Sequence, residues 1–275
     1  MTGAKFLSAF APSGASRGSA DQDDPTSFGH DDGITLSLGA AARAALMAAS
    51  TALAFGGTFG AASRNDCSVK IDLRFIFHVD EDIAEQDVFY ERVPGSGEVF
   101  RPTRSTPDMS LPLFAAAEPV RHTPHQPDNV GPWRRGAPLG ITLGEWFGAK
   151  GRGRYECRDN FGHLRIKFEK LIPNGVYTLW HDCYSWPPNS PGDGTYDVPV
   201  GAPDGSENTF YADADGNALV ERSFRQCLPP SREQMLSELS IAWHSDGRTY
   251  RHEPGEFSTR THVQLYAGLA ERAVF

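Results

Sequence analysis

Several absences narrow the chemistry open to this 275-residue chain. Its four cysteines, Cys67, Cys157, Cys183 and Cys227, contain no C-x-x-C pair, which argues against a zinc ribbon or a thioredoxin-type redox site. Its nine histidines include no H-x-H and no H-E-x-x-H spacing, so any metal ligands must converge through the fold. No methionine follows Cys157 or Cys183 at short range, and the compact Cys, His and Met series of a copper sandwich is therefore missing. There is no G-x-S-x-G elbow for a serine nucleophile. Gly148-Ala-Lys-Gly-Arg-Gly153 lacks the preceding strand and following helix of a phosphate loop.

Basic charge is also scarce. Lys and Arg number 26 against 35 Asp and Glu, a formal net charge of -9. That balance disfavours nucleic acid, whose affinity rests on phosphate neutralisation, and anionic lipid for the same reason. The uncharged Ala- and Leu-rich run over 44–60, ending in the small residues Ala61-Ala62-Ser63, is too short and too weakly apolar to span a membrane. No internal repeat is present.

What is present reads as β structure. Residues 67–79 alternate, with Val69, Ile71, Leu73, Phe75 and Phe77 on one face and Ile76 the lone exception on the other, and predict a long strand. Further strands are expected at about 152–157, 163–171, 175–183, 208–213, 217–225, 237–244 and 261–269, separated by turn residues. Thr142-Leu-Gly-Glu145 has capping-box spacing and predicts one short helix over 142–150. The cluster Lys150-Gly-Arg-Gly-Arg154 is expected to mark that helix's C-terminus. Residues 94–138 are proline-rich, show little periodicity, and read as a long surface loop. The expected architecture is an all-β antiparallel sandwich, or partly open barrel, over 67–275 with one short helix and long Pro/Gly-rich loops.

Ahead of it, residues 1–35 read as a disordered or loosely attached extension. Residues 36–62 form an Ala-rich segment, either signal-like or helical. The signal-like reading, with an even number of cysteines, predicts an exported protein (periplasmic, extracellular or surface) holding at least one disulfide. Cys183 and Cys227 are the expected participants, since both adjoin strands that end in long loops.

Histidines are the first candidates for chemistry. His122 and His125 sit in the proline-rich stretch, His181 near a strand end, His244 at a strand end and His262 at the start of the last strand. On strict alternation His244 and His262 both turn away from the face holding Trp243 and Val263. A hairpin joining their strands places both at one end of the sheet. With Asp246 or Glu256 as an oxygen ligand or orienting partner, these five histidines are the candidate ligands for Zn or Cu. Asp213-Ala-Asp-Gly-Asn217 spaces oxygens as calcium loops do, but lacks the acidic twelfth position and reads as a hairpin turn. Tyr184, Trp186 and Tyr196 flank a long loop, where they could grip a sugar or pin the loop down. The leading reading is an exported or surface-associated binding or structural module, with protein or carbohydrate as partner. The runner-up is a Zn- or Cu-dependent enzyme built on the histidine cluster.

Overall fold

The computed structural model describes residues 68–81, 86–120, 130–185, 196–231 and 235–270. All of them fall within the compact unit Ala61–Phe275. The extension expected over 1–35, the segment 36–62, Cys67, His122, His125 and the loop around Trp186 lie outside the described residues.

The described residues form three antiparallel sheets. The first carries β1 (Val69–Phe75), β5 (Lys150–Arg158), β6 (Phe161–Glu169) and β10 (Ala218–Arg225), in that order. The second orders β12 (Thr261–Gly268), β11 (Met235–His244), β7 (Val176–Ser185) and β8 (Tyr196–Pro199), with β9 (Thr209–Tyr211) also on β7. A small third sheet orders β2 (Glu98–Val99), β4 (Trp133–Thr142) and β3 (Pro112–Ala116). The expectation of an all-β sandwich holds, and all eight expected strands have counterparts.

Period-two sequence builds the core between the first two sheets. Ile71, Leu73 and Phe75 of β1 and Leu164, Ile166 and Phe168 of β6 are buried in one apolar cluster with Leu239 and Ile241 of β11. At its centre the Phe210 ring stacks between Phe168 and Tyr177, each 5.4 Å away. The sheets are joined at both edges. Ile76 and Tyr266 exchange backbone hydrogen bonds of 2.9 and 3.0 Å, carrying β1 onto β12. At the other edge the Arg222 guanidinium of β10 donates to the carbonyls of Thr209 and Glu207 at 2.8 and 2.6 Å. One side chain there does the work of a missing ladder.

Three expectations change. The helix α1 spans only Leu143–Trp146, although its capping box forms: Glu145 N–H donates to Thr142 Oγ1 and Thr142 N–H to Glu145 Oε2. The stretch 94–138 is not all loop, because β2, β3 and part of β4 lie in it around a small core of Phe89, Val99, Ala116 and Val120. The disulfide joins Cys227 to Cys157, with Cα atoms 5.6 Å apart, and not to Cys183. Topology decides this. Arg225 pairs with Phe161 and Phe161 with Arg158, so the chain leaving β10 passes the end of β5. Cys183 is a buried thiol on β7, in the other sheet.

Candidate functional site

Of the predicted histidines, the three among the described residues, His181, His244 and His262, do not converge. His244 pairs with Thr261 and Trp243 with His262, so both histidines lie at the same end of the sheet. They face opposite sides of it. Between Ile241 and Ala242 the register slips, Leu265 opposing Ile241 while Val263 opposes Ala242. The extra residue, Gln264, inverts the phase of alternation beyond it. Val263 therefore leaves the main core to pack on Trp180, and His262 turns in against Trp243, ring centroids 5.5 Å apart. His181 opposes Leu239, five pairs along the ladder from His244. Among the described residues no group of three or more His, Cys, Asp or Glu is placed to hold a metal.

Each imidazole is instead bonded into the fold. His244 Nε2 lies 2.8 Å from Thr178 Oγ1, and His181 Nε2 lies 2.8 Å from Ser237 Oγ. Burial pushes both down to about 4. His262 is also lowered by burial. Its Nδ1–H donates to the Asp87 carbonyl at 2.6 Å, since a carbonyl only accepts. Its Nε2 is then the acceptor, taking the Ser245 hydroxyl proton at 3.0 Å. That is the hydrogen-bond order of a nucleophile and its base. Here the imidazole is fully enclosed, and a carbonyl stands where a carboxylate would orient it. The contact ties the turn after β11 to residue 87.

Beside it lies a buried ion pair that sequence reading missed. Arg101 Nη2 stands 3.8 Å from Asp87 Oδ1, both side chains fully enclosed. Asp87 accepts from Ser258 Oγ and from Val263 N–H, each at 3.1 Å. The guanidinium lies beside the touching Trp133 and Phe89 rings, 5.1 and 5.7 Å from their centroids, and among the described residues none of its nitrogens has a hydrogen-bond acceptor. Charge and ring faces hold it there.

The open surface is the outer face of the first sheet. Lys150-Gly-Arg-Gly-Arg154 is strand β5, not a helix end. Its glycines face inward because nothing larger fits: a Cβ on Gly151 would stand 2.6 Å from the Phe168 ring, and one on Gly153 2.4 Å from the Arg165 carbonyl. Its basic residues all point out. With Lys70, Arg74, Arg158, Arg165, Lys167 and Arg225 they make nine outward cations against four carboxylates, Asp72, Glu156, Glu169 and Glu221. The carboxylates are all engaged: Arg154–Asp72 at 3.0 Å, Arg165–Glu221 at 2.7 Å, Lys70–Glu156 at 3.6 Å and Lys167–Glu169 at 2.7 Å. A trough of about 1000 Å³ crosses these strands. Register then puts like charges side by side, Arg74 opposite Arg152 and Arg152 opposite Lys167. Such neighbours repel at a spacing of roughly 5 Å.

The Asp213 loop is a turn, as expected, but not a hairpin. Its flanking strands β9 and β10 pair with β7 and β6 in different sheets. Asp213 Oδ1 accepts from the Asp215 and Asn217 N–H groups at 2.9 and 2.7 Å, which turns its carboxylate onto its own backbone. No family model, no curated protein and no solved structure matches this chain.

Proposed function

We propose that this chain is an exported or surface-associated binding module whose working surface is the outer face of the four-stranded sheet. Its partner is an extended anionic polymer, and an acidic polysaccharide is the class that fits. The charge of that face carries the reading: nine outward cations against four carboxylates, on a chain whose net charge is -9. Charge gathered against the overall balance focuses potential on one surface. The Cys157–Cys227 disulfide is consistent with an oxidising, exported setting, where acidic glycans are met. Single-stranded nucleic acid is the weaker match, because such sites stack bases on aromatic platforms. Here Phe161 is the outward aromatic ring, and the Arg225 guanidinium covers it at 5.6 Å.

Retention on immobilised polygalacturonate, beside neutral dextran and single-stranded DNA, tests this. Retention on the polyuronate alone is expected, weakening steeply between 50 and 500 mM salt. Arg152→Gln with Arg154→Gln, at unchanged melting temperature, is expected to reduce it at least tenfold. Equal retention on dextran, or no effect of the double variant, overturns the reading, and stronger retention on DNA replaces the polysaccharide with nucleic acid.

A further inference from the structure

At one end of this face the basic rows run into an apolar wall. There β1 leaves the sheet, and its continuation, Phe77 and Val79, lies against Phe147 just beyond α1. Phe77 and Phe147 meet edge to face with centroids 4.9 Å apart. Met109 completes the wall and is 47% exposed. It is fixed rather than loose, since Gly144 N–H donates to its carbonyl at 2.8 Å. The cleft between wall and cations measures about 900 Å³, at the upper end of the roughly 300–1,000 Å³ typical of small-molecule sites.

Its charged rim carries the cations Arg74, Arg104, Lys150, Arg152 and Lys167 against two carboxylates, Asp80, which accepts from Phe77 N–H, and Glu169, which is paired with Lys167. Arg74 and Arg152 are direct register partners, and among the described residues neither is within ion-pair distance of a carboxylate or makes a side-chain hydrogen bond, although the charge of Arg152 reaches Glu169. A sheet that keeps two guanidiniums side by side with their donors unspent presents a receptor for one group with several oxygens, since carboxylate, sulfate and phosphate all accept bidentate bonds from arginine. The apolar wall opposite is of no use to such a group alone. It suits a hydrocarbon body attached to it.

We propose that this cleft is a separate site for an amphipathic anion, with an acidic head held by Arg74 and Arg152 and an alkyl or acyl body lying on Met109, Phe77 and Phe147. It shares the two arginines with the polyanion surface but does not require a polymer to bind there.

Calorimetric titration of the whole chain with octanoate, octyl sulfate, octyl glucoside, acetate and inorganic phosphate, all below micelle formation, tests it. Octanoate and octyl sulfate are expected to bind at one saturable site, at least tenfold tighter than the other three. Met109→Asp, an exposed change, is expected to weaken octanoate tenfold and leave polyuronate retention unaltered. Arg74→Gln is expected to weaken octanoate similarly without lowering the melting temperature. Octyl glucoside binding as tightly as octanoate would reduce the site to an apolar patch. Acetate or phosphate binding as tightly would reduce it to a plain anion site. Unchanged octanoate affinity in Met109→Asp would place the ligand elsewhere, and each of these overturns the proposal. Polyuronate retention without octanoate binding sinks this site alone; the reverse sinks only the polymer reading.

Discussion

Lowering the pH from 7.5 to 4.5 should destabilise this fold through two histidines. His181 and His244 are 2% and 1% exposed, and burial holds each near 4 against an ordinary 6.5. The folded value lies below the unfolded one, so between about pH 4 and 6.5 the unfolded chain binds more protons. Stability is then fully present above pH 6.5 and is lost as pH falls toward 4. At pH 4.5 the difference is roughly 2–3 kcal/mol for each histidine, about 5 kcal/mol for the pair, a large part of a typical domain's stability. His262, lowered in the same direction, adds to it. The bonded carboxylates Glu91, Asp108, Asp204 and Asp213 are all held below their ordinary values by hydrogen bonds from nearby backbone or serine groups, so at the acid end they add to the loss in the same direction. Urea unfolding followed by tryptophan fluorescence at pH 7.5, 6.5, 5.5 and 4.5 reads the slope. His181→Gln and His244→Gln, which keep a polar atom near each Nε2 site, should each remove about half of it. A flat profile across the window, or stability rising toward pH 4.5, would refute the assignment of neutral, buried imidazoles.

Other perturbations follow from the packing. Reducing Cys157–Cys227 opens a link between residues 70 apart in sequence, which loop-closure entropy values at about 4 kcal/mol; melting with and without reductant reads it, and an unchanged melting temperature would count against the bridge. Arg101→Met strands the Asp87 carboxylate in the interior and should cost about 3–5 kcal/mol. Adding Asp87→Asn should recover part of that loss, and a strictly additive double-mutant cycle would show that the pair does not interact. Gly153→Ala drives a methyl into the Arg165 carbonyl and should cost about 1–3 kcal/mol, whereas Gly247→Ala meets no neighbour within 4 Å and is opposed only by its positive φ of 70°. Chemical denaturation of the two variants decides whether close packing or backbone strain dominates.

The strands were legible where one face met a continuous core. Val69–Phe75 and Phe161–Glu169 alternate without error because every second side chain enters the same cluster. β4 was illegible for the opposite reason. Its pairing with β3 breaks register twice, and its burial follows no period of two, so Trp133-Arg-Arg-Gly-Ala-Pro looks like loop. The histidine orientations failed at a single residue. Counting back from Leu265 places Val263 in the core and His262 outside, and only the bulge at Gln264, invisible to periodicity, reverses them. The disulfide partner was hidden because proximity arises from β6 lying between β5 and β10, a fact of topology. The buried Asp87–Arg101 pair left no trace either, its residues falling in stretches without period.

The basic face was the most readable of the missed features. Lys150-Gly-Arg-Gly-Arg154 alternates as strictly as β1, but with glycine in the inward places where apolar residues are expected. Net charge concealed its significance. Between exposed groups, charge acts over roughly 8 Å at physiological ionic strength, while facing sheets stand about 10 Å apart. An anion placed in the trough would meet Arg152, Arg154, Arg165 and Lys167 at close range, and little of the carboxylates outside it that make the chain acidic overall. For a two-layer β protein the sign of a single sheet face is therefore a better guide to its partner than the sign of the whole chain. Here the face can be read from the sequence once the strand register is known.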